Sequence, residues 1–162
     1  GRIYLLNTTQ DDTNTRDYAK TNICQHAAII GNDGVAWAVS SDWPGLNEYQ
    51  HPLEQDDGTV RDVPVNEFKC ALGAAQGNKM PSPAGIRMGN EKFIFVKYEQ
   101  DTKSTYLTRM GGGGAVISRL EKGIVIGIWH KDHAMSKGGN QNQFDCAMQV
   151  ESMGKLLRQH NY

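Results

Sequence analysis

The stretch RMGGGGAVISRLEKGIVIGIW, residues 109–129, decides the fold. Four glycines precede two short apolar runs, AVISRL and IVIGIW, which are rich in β-branched residues and are joined by a turn containing Gly123. Two such runs with a glycine-containing turn between them are typical of a β-hairpin. We therefore expect the second half of the chain to be built from short antiparallel strands.

The glycine run, Gly111–Gly114, raises the alternative of a phosphate-binding loop. Such a loop carries Gly-Lys-Ser or Gly-Lys-Thr and opens a helix whose first amides hold the phosphate. Neither sequence follows here, and the glycines lead into a strand pattern rather than a helix, which also argues against a dinucleotide motif. The run is predicted to be a strand connection where side chains would clash or the backbone must bend.

Other stretches repeat the strand pattern. HAAIIGNDGVAWAVS, from His26, shows two apolar runs about an Asn-Asp-Gly turn, and GIRMGNEKFIFVKYE, from Gly85, shows two strands about Gly-Asn-Glu. TKSTYLTRM adds one more strand. EYQHPLEQDDGTVRDVPV is predicted to be a small exposed hairpin with an Asp57-Gly58 turn, weakly packed, with Leu53, Val60 and Val63 as its candidate core residues. Pro64 would confine its strand to an edge.

Three segments have helical patterns. We expect one helix near Arg16–Ile23 and a second over residues 65–77, where Phe68, Leu72 and Ala75 share a face and Gly77 ends the helix. The last helix is the clearest, because an i, i+4, i+7, i+11 spacing predicts one buried stripe of Cys146, Val150, Met153 and Leu157. The pattern as a whole predicts an α+β fold.

Composition excludes several classes of protein. The chain has 162 residues, a formal net charge of −1 and a mean hydropathy of −0.57. A nucleic-acid-binding protein usually shows a basic excess or stripe, and a bilayer span needs about 20 apolar residues; neither pattern occurs. We expect a soluble, cytosolic single domain whose three scattered cysteines are buried free thiols.

The candidates for catalysis or metal binding are weak. His130, Asp132 and His133 lie close together, but a metal site needs further ligands, and a solvated polar loop is the commoner explanation. No Gly-x-Ser-x-Gly motif occurs. Trp37 stands between small alanines, so its ring could be an open platform for proline-rich ligands or an ordinary core residue. Met148 and Met153 are interpreted as core residues.

In order along the chain, four of these stretches resemble profilins. ICQHAAIIGNDGVAWAVS resembles the first hairpin of that family, SPAGIRMGNEKFIFVKYE its Pro-x-Gly strand and turn, RMGGGGAVISRLEKGIVIGIW its glycine-rich connection and hairpin, and CAMQVESMGKLLRQHNY its C-terminal helix. The resemblance implies a central antiparallel sheet flanked by N- and C-terminal helices on one face. Residues 1–162 would form one such domain, with an extension over 1–15 and a hairpin insertion over 46–65, similar in place to an arm that contacts actin in some protist profilins.

The resemblance also implies a function. Profilins are not enzymes: they bind monomeric actin on one face, bind proline-rich segments on another, and regulate actin polymerisation. Carried over by position, the actin-binding residues would be Lys92, Lys97, Arg109 and Glu151. The residues that bind proline-rich ligands would be Trp37, Tyr162, Leu156 and Tyr18.

The expected partners follow from the same resemblance. They are actin monomer, proline-rich proteins such as formins, and phosphoinositides bound weakly, whereas no nucleic acid, metal or cofactor is expected. The protein would be a monomer in the cytoplasm and cytoskeleton. The alternative is a proline-rich-peptide adaptor with weak or lost actin binding, which a thin basic face and Ala147, at a place where asparagine is common, would favour.

Overall fold

A computed structural model describes residues 21–162, in which four strands precede the first helix and five further strands precede the second. In chain order they are β1 (His26–Gly31), β2 (Ala36–Val39), β3 (Glu48–Glu54), β4 (Val60–Asn66), α1 (Glu67–Ala75), β5 (Ile86–Met88), β6 (Glu91–Glu99), β7 (Ser104–Arg109), β8 (Gly114–Arg119), β9 (Gly123–Trp129) and α2 (Gln143–Gln159).

The strands form a seven-stranded antiparallel sheet in the order β2-β1-β9-β8-β7-β6-β5, with β3 and β4 as a separate two-stranded ribbon. Strands β5 to β9 pair with their neighbours in sequence, whereas the β1–β2 hairpin joins the sheet through β9. The predicted hairpins and the α+β class are confirmed. No helix within residues 21–162 has the length and apolar character needed to cross a membrane.

The sheet has a helix on each face. Alternate residues of β8 and β9, including Val116 and Val125, pack beneath α2, while Ile117 and Ile126 pack on the side of α1. Helix α2 lies very close to β9, since a Cβ added at Gly127 would approach Val150 Cγ2 to 2.6 Å. The core therefore consists of two apolar layers separated by the sheet.

The glycine run is the connection between β7 and β8, as the sequence predicted. Gly111, Gly112 and Gly113 have φ values of 89°, 103° and 123°, which side chains rarely allow. Gly114 begins β8, and a Cβ there would overlap the carbonyl oxygen of Leu107 on the neighbouring strand. Backbone conformation and close strand approach account for all four glycines without a ligand.

Both helices begin with an asparagine cap. Asn66 Oδ1 accepts from the Lys69 amide at 3.0 Å, and Asn142 Oδ1 accepts from the Asp145 amide at 2.9 Å. The stripe predicted for α2 is confirmed, although Met153 is only partly buried. The face predicted for α1 is corrected: its buried residues include Cys70, Ala71, Ala74 and Ala75, whereas Phe68 and Leu72 are only partly buried. Small residues let this short helix approach the sheet.

The N-terminal predictions fall mostly outside the described residues. The helix expected near Arg16–Ile23 and the extension over 1–15 include positions that the structure does not describe, and so does Tyr18. Residues 21–24, which are described, form no helix.

The ribbon Glu48–Asn66, called the arm below, is packed on one side. Val63 and Val65 are 5% and 2% exposed and cluster with Cys70 of α1 and with Ala84. The expectation of a weakly packed hairpin is therefore wrong, because alternation turns one side of the ribbon onto α1. Leu53 packs partly there, Val60 is 66% exposed, and the sequence analysis missed Val65.

Each strand of the arm contains a proline. Pro52 lies opposite Asp62, and Pro64 lies opposite Gln50. Because proline has no N–H to donate to its partner strand, both must occupy positions whose nitrogen faces outward. The free edge of each strand therefore lacks a donor at its centre, which disfavours the addition of another strand.

Candidate functional site

One part of the sheet is left open beside α2. This helix packs over β8 and β9, so the same face of β6 and β7 lies next to it without a helix above. Ile94 lies opposite Thr108 on that face, and Lys97 lies opposite Tyr106. Alternation also places Lys92, two residues before Ile94, on this face.

The first turns of α2 border the open strands with apolar side chains. Phe144, Met148 and Glu151 are spaced by four and three residues and so share one side of the helix. That side points toward β7, because Glu151 accepts a hydrogen bond from the Tyr106 hydroxyl. Phe144 is 73% exposed and Met148 53%. The interpretation of Met148 as a core residue is therefore wrong.

Ile94 and Met110 have exposed fractions of 44% and 71%, and alternation from Thr108 assigns Met110 to the same side as Ile94. We call the surface formed by Lys92, Ile94, Lys97, Met110, Phe144 and Met148 the β6–β7 face. The sequence analysis did not identify the apolar residues of this face. The available signal was that Phe144 and Met148 lie off the buried stripe of α2.

Two of the four residues predicted to contact actin carry exposed charges on this face. Lys92 is exposed opposite Arg87. Lys97 Nζ lies 3.1 Å from Glu99 Oε1 and 4.7 Å from the centre of the Tyr106 ring. Since Lys97 remains half-exposed, both ammonium groups are accessible to a partner.

Arg109 does not join them. It is 7% exposed, and its Nη1 lies 2.6 Å from Glu91 Oε2. Its Nη2 donates to Gln25 Oε1 and to the Trp129 carbonyl, both at 3.2 Å. The expectation that Arg109 shares a surface with Lys92 and Lys97 is corrected: the guanidinium ties the end of β7 to β6 and β9.

Glu151, the fourth predicted residue, is also engaged inside the protein. Its Oε1 accepts from the Tyr106 hydroxyl and from Thr102 Oγ1 at 3.3 Å. Burial raises the pKa of Tyr106 above its usual range, and the Glu151 carboxylate raises it further, because it accepts a hydrogen bond from the protonated hydroxyl and its negative charge disfavours a phenolate. The pair fastens α2 to β7. Ala147 is 7% exposed and packs in the core cluster on the α2 side of the sheet.

The structure brings Trp37 and Tyr162 together. Their ring centres are 5.5 Å apart at an angle of 60°, and Tyr162 is 42% exposed. Tyr162 is held by its backbone, which donates to Leu157 O at 3.0 Å and accepts from the Lys122 amide at 2.6 Å. Trp37 also lines a shallow cleft of about 400 Å³ beside Lys122. Trp37 is thus neither fully buried nor isolated.

Leu156, the third residue predicted for this site, lies in the last turns of α2, six residues before Tyr162. It is 48% exposed and follows Met153 by three positions, so the two side chains share one side of the helix. Met153 and Trp37 pack against the same core cluster. The fourth predicted residue of this site, Tyr18, lies outside the described residues.

The remaining candidates show no metal-binding geometry. His130 and His133 stack with ring centres 4.7 Å apart, and His130 Nδ1 accepts from the Asp132 amide at 3.1 Å. Residues 21–162 contain no group of three or more histidine, cysteine or acidic side chains that could hold a metal ion. The three cysteines are free and buried, as predicted.

A cleft of about 690 Å³ lies at the C-terminal end of α2 and includes Lys103, Arg119 and Arg158. Arg158 Nη1 donates to Ser118 Oγ at 3.0 Å and to the Arg119 carbonyl at 2.9 Å. Burial lowers the pKa of Arg158. Arg158, one of the three cations of the cleft, is therefore engaged in internal hydrogen bonds.

Comparison with known proteins identifies the family and the fold of this chain. The sequence model of the profilin family matches residues 12–162. A profilin of Tetrahymena pyriformis is 32% identical over 142 residues, covering 85% of this chain and 89% of its own. The crystal structure of Acanthamoeba castellanii profilin II superposes with a TM-score of 0.58 at 18% identity. Mouse profilin IIa, solved in complex with a double repeat from the FH1 domain of mDia1, gives a TM-score of 0.51 at 14% identity. Each structural match covers 86% of this chain and 89% of the matched chain. The chain belongs to the profilin family.

Proposed function

We propose that this protein is a non-enzymatic regulator of actin polymerisation that binds monomeric actin through the β6–β7 face. The supporting observation is an open strand surface on which four large apolar side chains are 44–73% exposed beside two accessible lysines. Apolar patches with a charged rim mark protein interfaces. Membership of a family of actin-binding proteins supports actin as the partner.

The experiment reverses one charge on this face. Lys92→Glu replaces attraction to an acidic partner with repulsion, and close charge pairs at interfaces couple by about 1.5 kcal/mol or more. We expect at least roughly tenfold weaker binding in a fluorescence assay of actin assembly. Lys69→Glu is the matched control, because Lys69 is exposed on α1, on the other side of the sheet. Equal actin affinity of the two folded variants would refute this use of the face.

The second proposed activity is binding of proline-rich segments, such as those of formins, at Trp37, Tyr162 and Leu156. The partly exposed ring pair supports it, because flat aromatic side chains form the grooves that accept polyproline helices. A proline-rich peptide should change the emission of Trp37, and Trp37→Phe should abolish that response while actin binding persists. If the peptide changes the emission of Trp37→Phe as much as that of the parent, the peptide binds elsewhere. Trp43→Phe is the control, because it removes a tryptophan outside the proposed site and should keep the response.

We also propose that the arm makes an additional contact with actin. It contains five carboxylates, Glu48, Glu54, Asp56, Asp57 and Asp62, against the single cation Arg61. Such an arm would meet a basic or apolar part of actin, away from the groups that meet Lys92.

The test of this contact shortens the arm without disturbing its packed base. Replacing residues 54–60 by Asn-Gly joins Leu53 to its cross-strand partner Arg61 by a two-residue turn. This shortened-arm protein should bind actin more weakly and bind proline-rich peptide unchanged. If the shortened-arm protein binds actin as tightly as the parent, the arm is not part of the interface.

The adaptor alternative, with weak or lost actin binding, predicts peptide binding alone. Titrating the same protein with actin monomer and with peptide separates the two functions. Weak phosphoinositide binding, a monomeric state and a cytoplasmic, cytoskeletal location complete the proposal; Lys103 and Arg119 are the accessible cations best placed for such lipids.

A further inference from the structure

We infer that Glu67 is a positioning residue that holds the arm at a fixed angle to the β5–β6 turn, so that the arm and the β6–β7 face meet actin as one rigid surface. This inference rests on the proposed actin contact of the arm. It assigns a role to a buried carboxylate that none of the three proposed binding surfaces includes.

Glu67 is fully buried and connects three segments. Its Oε1 accepts from the Asn47 amide at 3.0 Å, just before the arm. Its Oε2 accepts from the Tyr49 hydroxyl at 2.9 Å, within the arm, and from the Asn90 amide at 2.7 Å, in the β5–β6 turn. Glu67 is itself the first residue of α1, where a negative charge is favoured. The carboxylate is therefore well satisfied despite its burial.

Arg87 closes this network from the other side. Its Nε donates to the Tyr49 hydroxyl at 3.0 Å, and its Nη2 donates to the Asn90 carbonyl at 3.1 Å. Tyr49 and Asn90 thus each contact both the carboxylate and the guanidinium. Asn90 has a φ of 61°, so these bonds also hold the turn in a conformation that few residues adopt readily.

The hydrogen-bond network fixes the orientation of the arm, which apolar packing alone cannot fix. Val63 and Val65 attach the arm to α1, but hydrophobic contact is non-directional and tolerates some tilting. Hydrogen bonds to a buried charge depend steeply on distance and angle. Asn90 is two residues before Lys92, so the arm is fixed relative to a lysine of the proposed interface.

The first measurement is amide hydrogen exchange of Glu67→Gln against Glu54→Gln. Both changes remove one carboxylate charge, but Glu54 is exposed on the arm. Losing hydrogen bonds to a buried charge should speed exchange in the arm and the β5–β6 turn roughly tenfold or more in Glu67→Gln alone, while β8 and β9 keep the parental rate. Uniform acceleration across the chain would show a merely structural role and overturn the inference.

The second measurement compares actin affinity in the full and shortened-arm proteins, each with and without Glu67→Gln. We expect the substitution to weaken binding about three- to tenfold in the full chain, through lost preorganisation, and less than about twofold in the shortened-arm protein. Equal losses in both backgrounds, or none in the full chain, would overturn the positioning role.

A shortened arm that binds actin like the parent would instead refute the arm contact itself, and that result needs no Glu67 variant. Should Glu67→Gln not fold, Tyr49→Phe supplies the same two measurements. It keeps the ring and removes only the hydroxyl between Glu67 and Arg87.

Discussion

Replacing Val65 with alanine should destabilise the whole protein, whereas the same change at Val60 should not. Both valines lie in β4, so the loss of strand propensity is similar at the two sites. Val65 is 2% exposed and packs with Cys70 and Ala84, whereas Val60 is 66% exposed near the tip of the arm. The difference between the variants therefore isolates burial.

The magnitude follows from the buried atoms. Valine to alanine removes two carbon groups worth about 0.8 kcal/mol each when buried, and the cavity that remains adds to the cost. We expect Val65→Ala to lower the free energy of unfolding by about 2 kcal/mol and Val60→Ala by about 0.5 kcal/mol or less. For a chain of this length, 2 kcal/mol corresponds to a fall in Tm of roughly 4–8 °C.

Urea unfolding followed by circular dichroism, with calorimetry for Tm, measures both variants. The parental m-value should be kept, because the same surface is exposed on unfolding. Stabilities of the two variants within about 0.5 kcal/mol of each other would refute the reasoning, since an unpacked arm would treat both positions alike.

Three further outcomes follow from contacts near α2. Gly127→Ala places a methyl against Val150 and should lower stability by about 1–3 kcal/mol in thermal unfolding; an unchanged Tm would mean that the helix is not closely seated on β9. The pKa of Asp145 is lowered chiefly by the Lys137 ammonium, so its contribution is present above the unfolded pKa and is lost as pH falls through the folded value. Asp145→Asn should thus cost more stability at pH 7 than in acid, with the difference shrinking as pH falls below about 3.9, the unfolded pKa of an aspartate, and a pH-independent difference would contradict this. A hydrogen bond with Cys24, together with burial, raises the pKa of the Cys146 thiol. Iodoacetamide should therefore modify Cys146 slowly in the folded protein and quickly in denaturant, as measured by mass spectrometry; equally fast modification of the folded protein would contradict this.

Local sequence signals predicted most of the strands and α2 correctly. Turn residues such as Asn32-Asp33-Gly34 and the stripe beginning at Cys146 act over a few positions, so their consequences are visible in the sequence. The family resemblance supplied the pairing of Trp37 with Tyr162, which are distant in sequence.

The errors concern contacts between distant segments. Arg109 was expected to be a surface cation, and only the arrival of Glu91 and Gln25 from other segments explains its burial. Met148 is a different kind of error, because it lies off the buried stripe of α2 and its exposure could have been predicted from helical spacing. Val65 could be assigned to a core only once the arm was known to lie on α1.

The order of strands in the sheet has a consequence for synthesis on the ribosome. β1 pairs with β2 and with β9, and His26 lies opposite Ile128. The first hairpin can form early but cannot join the sheet until about 100 further residues have been made, which takes roughly 5–20 s at common elongation rates. Through that interval its apolar residues, including Ile29 and Ile30, have no sheet to cover them. During synthesis this hairpin therefore exposes apolar surface that chaperones can bind.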